Sequence, residues 1–438
     1  MICLYRILFL PALVLSLPYY LRRILRRGGY AKTLKHRFGY MGELPRPQAS
    51  KTRIWIQAVS VGEVEAAGAL IKRLAQDTSL ELILTTTTST GYALAQKSYA
   101  QYGVIVRGFP LDFWPFSRRA WKKIQPGMIV LMESELWPEH LHQAHRRNTP
   151  ALLVNARLSD RSFSRCRRLT YIIRPLMLKR LSRVLAASEQ DRQRFLQLGA
   201  TPNKLSVSGN IKFDVTSGHQ LSAEEQAALR KKCGFVTQSG EATPPFVLLG
   251  ASTWPGEEVA LIETLTQAVA LGIDCRLLLV PRHAERRDEL EAILQEQDHP
   301  FHFRSWEPTP SAPLIYVADT TGELKKFLAI ADLVFIGKSL PPHQGGQTPI
   351  DAAALGKPML FGPNMSNFKA ISTALLQGRG ALEVQDTKQL QAAVLRLIND
   401  NAEREALGRA AQDWHTTQRG AADKTVDAIY GAISRLNQ

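Results

Sequence analysis

Short apolar runs alternate with helical stretches along almost the whole chain, and they do so in two blocks. In the first block, strands are expected at Arg53–Ala58, Glu81–Thr86, Val104–Gly108, Met128–Met132, Ala151–Asn155, Arg183–Ala186 and Leu205–Ser208. Helical stretches such as Glu63–Gln76, Ala93–Tyr102 and Pro138–Arg147 lie between them. Residues 215–245 break the pattern with polar loops, one short charged helix (Ala223–Lys232) and the pair Pro244-Pro245. The alternation then restarts with strands at Phe246–Gly250, Asp274–Val280, Leu314–Val317, Leu333–Ile336 and Met359–Phe361. The helices of this block are expected at Glu257–Leu271, Ala284–Glu296, Leu324–Ala329 and Thr348–Leu355, and residues 386–437 read as helices that cap the second domain or cross back to the first. Such alternation selects a parallel sheet with helices on both faces. The expected fold is α/β, with two Rossmann-like domains facing a cleft at the carboxyl ends of their strands.

A chain of 438 residues suits two ordinary domains. The expected boundaries are 1–28 for an N-terminal segment, 29–215 for the first domain and 216–438 for the second with its C-terminal helices. A hydrophobic content of 45% with 21% charged residues excludes a disordered chain. The net charge of +16 points to an anionic partner, whether nucleic acid, an acidic membrane surface or a phosphorylated substrate. Cys3, Cys166, Cys233 and Cys275 are scattered without metal-ligand spacing and read as reduced thiols.

Residues 1–21 are mostly apolar, with Arg6 their one charge, and Arg22, Arg23, Arg26 and Arg27 follow at once. A cleaved signal peptide would carry its charges before the apolar run. The order here predicts a membrane-anchor helix with the protein body on the cytoplasmic face of the inner membrane. Pro11 and Pro18 interrupt a run barely long enough to span, so either one pass or an interfacial anchor fits. Arginine clusters continue through residues 157–183, and an anionic membrane surface is the expected partner for them.

The chemistry-bearing residues sit where strands end. Ser60-Val61-Gly62-Glu63 turns from a strand into a helix, so Glu63 is a candidate general base towards a hydroxyl. The helix dipole is expected to keep it ionised. Glu133 and Glu135, in Glu133-Ser134-Glu135-Leu136-Trp137-Pro138, are further catalytic candidates, since acids at a strand end are costly to bury without partners. Asn155 and Arg157 end the next strand, and Lys212 follows another, where arginine and lysine would meet an acid or a phosphate. In the second block, Ser252 and Thr253 end a strand, and Arg282 and His283 end the next. Gly345-Gly346-Gln347 precedes a short helix carrying Asp351, which reads as a nucleotide-sugar loop: glycines for close approach, a helix start for phosphate, an acid for ribose hydroxyls.

Taken in order, these segments resemble the 3-deoxy-D-manno-oct-2-ulosonic acid (Kdo) transferases. The resemblance covers nearly the whole chain and includes Phe361-Gly362-Pro363-Asn364-Met365-Ser366-Asn367-Phe368. It implies a GT-B type glycosyltransferase that moves Kdo from CMP-Kdo to a lipid A precursor, without an obligatory metal. Ser252, Thr253, Lys212, Arg282, His283, Gly345, Gly346, Gln347 and Asp351 would serve the donor; Ser60, Asn155 and Arg157 would serve the acceptor. Trp254, the Gly337-Lys338-Ser339-Leu340 turn and Gln347, Thr348 and Asp351 depart from the family pattern, which bears on donor affinity rather than reaction class. Two rivals stay open on residues alone. One is another GT-B enzyme, a nucleotide-sugar epimerase or a different lipid glycosyltransferase. The other is a non-catalytic membrane- or nucleic-acid-binding protein, disfavoured because aromatic stacking motifs for RNA are lacking; no nucleic-acid partner is expected.

Overall fold

The computed structural model describes residues 1–27, 33–48, 50–215, 221–235, 244–306 and 312–435. Among them, two parallel sheets form. The first comprises β1 (Thr52–Gln57), β2 (Leu80–Thr86), β3 (Ile105–Gly108), β4 (Met128–Met132), β5 (Ala151–Ala156), β6 (Arg183–Ala186) and β7 (Leu205–Val207), in the order β3-β2-β1-β4-β5-β6-β7. The second comprises β8 (Phe246–Thr253), β9 (Cys275–Pro281), β10 (Phe301–Phe303), β11 (Ile315–Val317), β12 (Leu333–Ile336), β13 (Met359–Phe361) and β14 (Leu382–Glu383), in the order β10-β11-β9-β8-β12-β13-β14. The two edge strands β10 and β14 escape the sequence pattern because His302 and Glu383 leave them without a continuous apolar run.

Each sheet is apolar on both faces, as helical crossovers require. Along β1, Ile54 and Ile56 join one core and Trp55 the other. Along β8, Val247 and Leu249 face one core and Leu248 the other. The chain divides into two compact units, residues 1–215 with 418–438, and residues 216–417.

The last helix, Ala421–Ser434, therefore crosses back to the first unit, so the second unit ends at 417 and not at the expected 438. The cause is visible in its contacts. Ala421, Ala422, Ile429 and Ile433 pack into the core beside Ile54 and Leu70. Asp214 accepts the Gly420 and Ala422 amides at 2.7 and 2.8 Å, tying the helix start to the end of the first strand-helix block.

The N-terminal segment is helical over Ile2–Arg27 and also joins the first unit rather than standing apart. Tyr5 donates to the Asp112 carboxylate at 2.6 Å, and Arg6 makes a two-pronged contact with buried Glu139 at 2.8 and 2.9 Å. Phe9 stacks on Phe113 with centroids 5.4 Å apart. Among the described residues no helix is long and apolar enough to cross a membrane.

Candidate active site

In open α/β sheets, ligand sites form at the carboxyl ends of strands where the strand order reverses. In the first sheet that point lies between β1 and β4, paired from Ile54–Met128 to Gln57–Leu131. The segments leaving these strands carry Glu63, Glu133 and Glu135. Ser60 caps the helix Val61–Leu74 by accepting the Glu63 amide. The Glu63 carboxylate bends back to accept the Val59 amide at 2.8 Å and the Ser60 hydroxyl at 3.1 Å. Burial nevertheless raises its pKa, the two hydrogen bonds and Lys212 opposing and Glu133 adding to the rise.

Glu135 is pushed further, to about 7, first by burial and then by the Glu63 charge, against hydrogen bonds from Trp137 and Gln57. The Trp137 indole donates to it at 2.7 Å. Glu133 sits in a left-handed conformation (φ 52°) that turns the chain out of β4. Its Oε1 lies 2.9 Å from the Lys212 ammonium, an ion pair whose angles fall short of a hydrogen bond. The structure therefore brings all three acids together with Lys212. Lys212 belongs to the first unit and is engaged by an acid there.

Asn155, fully buried with φ 51°, accepts the Ile211 amide at 3.1 Å and so fixes the loop that delivers Lys212. Its Nδ2 is buried without a partner. The Arg157 amide donates to the Glu133 carbonyl at 3.4 Å, while its guanidinium forms no hydrogen bond or ion pair among the described residues. Gln57 is the group that sequence reasoning missed. It is a fully buried amide that ends β1 after the apolar run Ile54–Ile56, and a polar residue in that position was the available signal.

The acid cluster should be visible in stability. A carboxyl whose folded pKa is near 7 contributes stability below its unfolded value of about 4.3. That contribution is lost as pH rises through about 7, because the folded state holds the proton longer. Glu135→Gln should then lose relative to the parent at pH 5 and gain on it at pH 8. Melting curves that stay parallel between these pH values would contradict the raised pKa.

In the second sheet the order reverses between β8 and β12. Ser252 leaves β8 with φ 56°, and Thr253 is fully buried with its hydroxyl unpartnered. A Cβ on Gly337 would stand 2.5 Å from the Ser252 carbonyl oxygen, so only glycine allows the two strand ends to meet. Glu257, also missed from sequence, joins them. Its Oε2 accepts the Trp254 and Lys338 amides at 3.0 and 2.7 Å, and its Oε1 accepts Ser339 and Leu340 at 2.9 and 3.1 Å. The Arg282 amide donates to the Thr253 carbonyl at 3.1 Å, which sets exposed Arg282 and His283 beside this loop. The Gly346 and Gln347 amides donate to the Lys338 and Gly337 carbonyls, so the glycine loop belongs to the same group.

Two details differ from expectation. The left-handed glycines (φ 107° and 67°) are needed for packing within the unit: a Cβ at Gly345 would strike Asn367, and one at Gly346 would strike Met365. The helix after them, Ile350–Ala354, has five residues, and Asp351 on it faces Lys325 at 3.5 Å. So short a helix carries little dipole, and the acid has a cation partner of its own.

These two doubly wound units, one with a carboxylate cluster at its switch point, define a two-unit α/β enzyme class. The fold is shared with UDP-GlcNAc 2-epimerase from Neisseria meningitidis, which the chain matches over 87% of its own length and 100% of that chain at TM-score 0.59 and 12% identity. At that identity the likeness concerns fold alone. Residues 32–215 match the model of the 3-deoxy-D-manno-octulosonic-acid transferase (kdotransferase) family. The Haemophilus influenzae 3-deoxy-D-manno-octulosonic acid transferase is 34% identical over 414 residues, 93% of this chain and 92% of the relative. The Bordetella pertussis transferase of the same name is 34% identical over 422 residues, 93% and 94% of the two chains. The chain belongs to the 3-deoxy-D-manno-octulosonic acid transferase family and is a glycosyltransferase.

Proposed function

We propose that the protein transfers Kdo from CMP-Kdo to a lipid A precursor during lipopolysaccharide core synthesis, with inversion at the anomeric carbon. The first unit would hold the acceptor and the second the donor. Glu63 takes the proton of the acceptor hydroxyl as its oxygen bonds to the anomeric carbon. The bond to the phosphate oxygen breaks, and cytidine monophosphate leaves with that electron pair. The raised pKa of Glu63 suits a base working near neutrality. Arg282 offers a planar fork of donors to the leaving phosphate. The observation that carries this reading is the convergence of Glu63, Glu133, Glu135 and Lys212 at the first switch point, in a chain of this family.

Attachment to the anionic inner-membrane surface on its cytoplasmic face, through the first helix lying in the interface, belongs to the same reading. Leu4, Ile7, Leu8, Leu10, Val14 and Leu15 are exposed along it, and arginines follow in sequence. The test is one assay. Tetra-acylated lipid A precursor in anionic vesicles is supplied with CMP-Kdo, and cytidine monophosphate release is followed with the full chain and with residues 1–27 deleted. Release that depends on the acceptor supports the transfer; release that is absent, or indifferent to acceptor, rejects it. Equal vesicle sedimentation of both chains would reject the role of the helix.

A further inference from the structure

The loop that joins the ends of β8 and β12 carries a lysine in a backbone conformation that lysine disfavours. Lys338 has φ 58°, inside the left-handed region. Its backbone has no room to relax, because its amide is held by Glu257 at 2.7 Å and its carbonyl by the Gly346 amide at 3.0 Å. Glycine would remove this strain. Strain of this kind persists where a side chain is needed. The Lys338 ammonium lies 4.4 Å from the centroid of the Trp254 ring. It forms no ion pair or hydrogen bond among the described residues. Trp254 is itself held edge-on by His283 and tilted by His343, with centroids 5.5 and 5.6 Å away. Its Nε1 is buried and has no hydrogen-bond partner.

A cation on an aromatic face loses rotamer freedom before any ligand arrives, so less is lost when one binds. An orphaned indole N–H calls for an acceptor. An oxyanion beside the ring would satisfy both groups at once. We propose that Lys338, positioned by Trp254, is a specificity-determining cation that recognises an oxyanion of the donor substrate. This rests on the transfer reading above. The shared chemistry is a singly or doubly charged oxyanion, supplied either by the phosphate of the nucleotide or by the carboxylate of the sugar.

The test is calorimetric titration of the full chain with cytidine, CMP and CMP-Kdo. Lys338→Met keeps the length and removes the charge; Lys338→Gly removes the charge and the strain together. If the phosphate is the target, both variants should bind CMP and CMP-Kdo about 10- to 100-fold more weakly, the worth of one charge-assisted hydrogen bond. Cytidine affinity should not change, and the salt dependence of CMP binding should shrink. If the carboxylate is the target, only CMP-Kdo should weaken. The glycine variant should melt no lower than the parent, which a merely structural lysine would not allow. Trp254→Phe, which keeps a ring face and loses the N–H, should weaken binding less than Trp254→Ala. Unchanged CMP and CMP-Kdo affinities in Lys338→Met overturn the proposal while leaving the transfer reading intact. A parent protein that binds neither ligand overturns the transfer reading first, and this proposal with it.

Discussion

Glu63→Gln should fold, bind CMP-Kdo with little change and turn over about 10²–10⁴ times more slowly, the usual contribution of a general base. The amide keeps the volume and one oxygen, so it can still accept the Val59 amide that now meets Glu63 Oε2 at 2.8 Å. What it loses is the ability to take a proton. The neighbouring acids are placed for other tasks. Glu133 is engaged by Lys212, and Glu135, with its pKa near 7, accepts the Trp137 indole. The Glu63 charge is one cause of the raised Glu135 pKa. The substitution should therefore also lower the Glu135 pKa, moving the alkaline loss of stability towards lower pH. Steady-state turnover and pH-dependent melting report the two effects separately. Near-normal turnover in Glu63→Gln, with a large loss in Glu133→Gln or Glu135→Gln, would pass the role of base to that residue.

Much of this arrangement was legible in the sequence because strand ends write themselves in residue type. Met128–Met132, Arg183–Ala186, Leu333–Ile336 and Met359–Phe361 have the same bounds in sequence and structure, since a strand buried on both faces is a bare apolar run. Polar residues just past those runs mark the side of the sheet where chemistry is possible. What the sequence hides is pairing across loops. Nothing near Lys212 says that its ammonium meets Glu133, 79 residues away. Nor does anything near Asp351 say that Lys325 faces it at 3.5 Å. The final helix, Ala421–Ser434, reads as one more amphipathic element, and its return to the first unit depends on the Asp214 carboxylate meeting its first amides. Glycines mislead in the same way. Gly345 and Gly346 mark a left-handed turn equally well whether a ligand or a neighbouring side chain fills the space beside them, and here Asn367 and Met365 do.

Glu257→Ala should be the most damaging single change for the second unit, and its reason is a count of amides. Four backbone donors, from Trp254, Lys338, Ser339 and Leu340, end on this one carboxylate. The residue is 2% exposed, so water does not readily replace it. Each buried donor left unpaired costs about 1–3 kcal/mol, but part of the loop relaxes, and a net loss of about 3–5 kcal/mol is expected. For a unit of this size that lowers the melting temperature by roughly 6–20 °C. Burial raises the pKa of this carboxyl, and the four amides oppose the rise without cancelling it. Glutamine is the sharper probe. It restores the shape and one accepting oxygen, yet turns an NH₂ group towards two amide donors. Two of the four contacts become donor against donor, so Glu257→Gln should recover less than half of the lost stability. Asp, which keeps both oxygens and retracts them by one methylene, should recover more than Gln if charge and acceptor number decide the matter. A Gln variant as stable as the parent would mean that the packing of the side chain, and not its four accepted hydrogen bonds, joins β8 to β12.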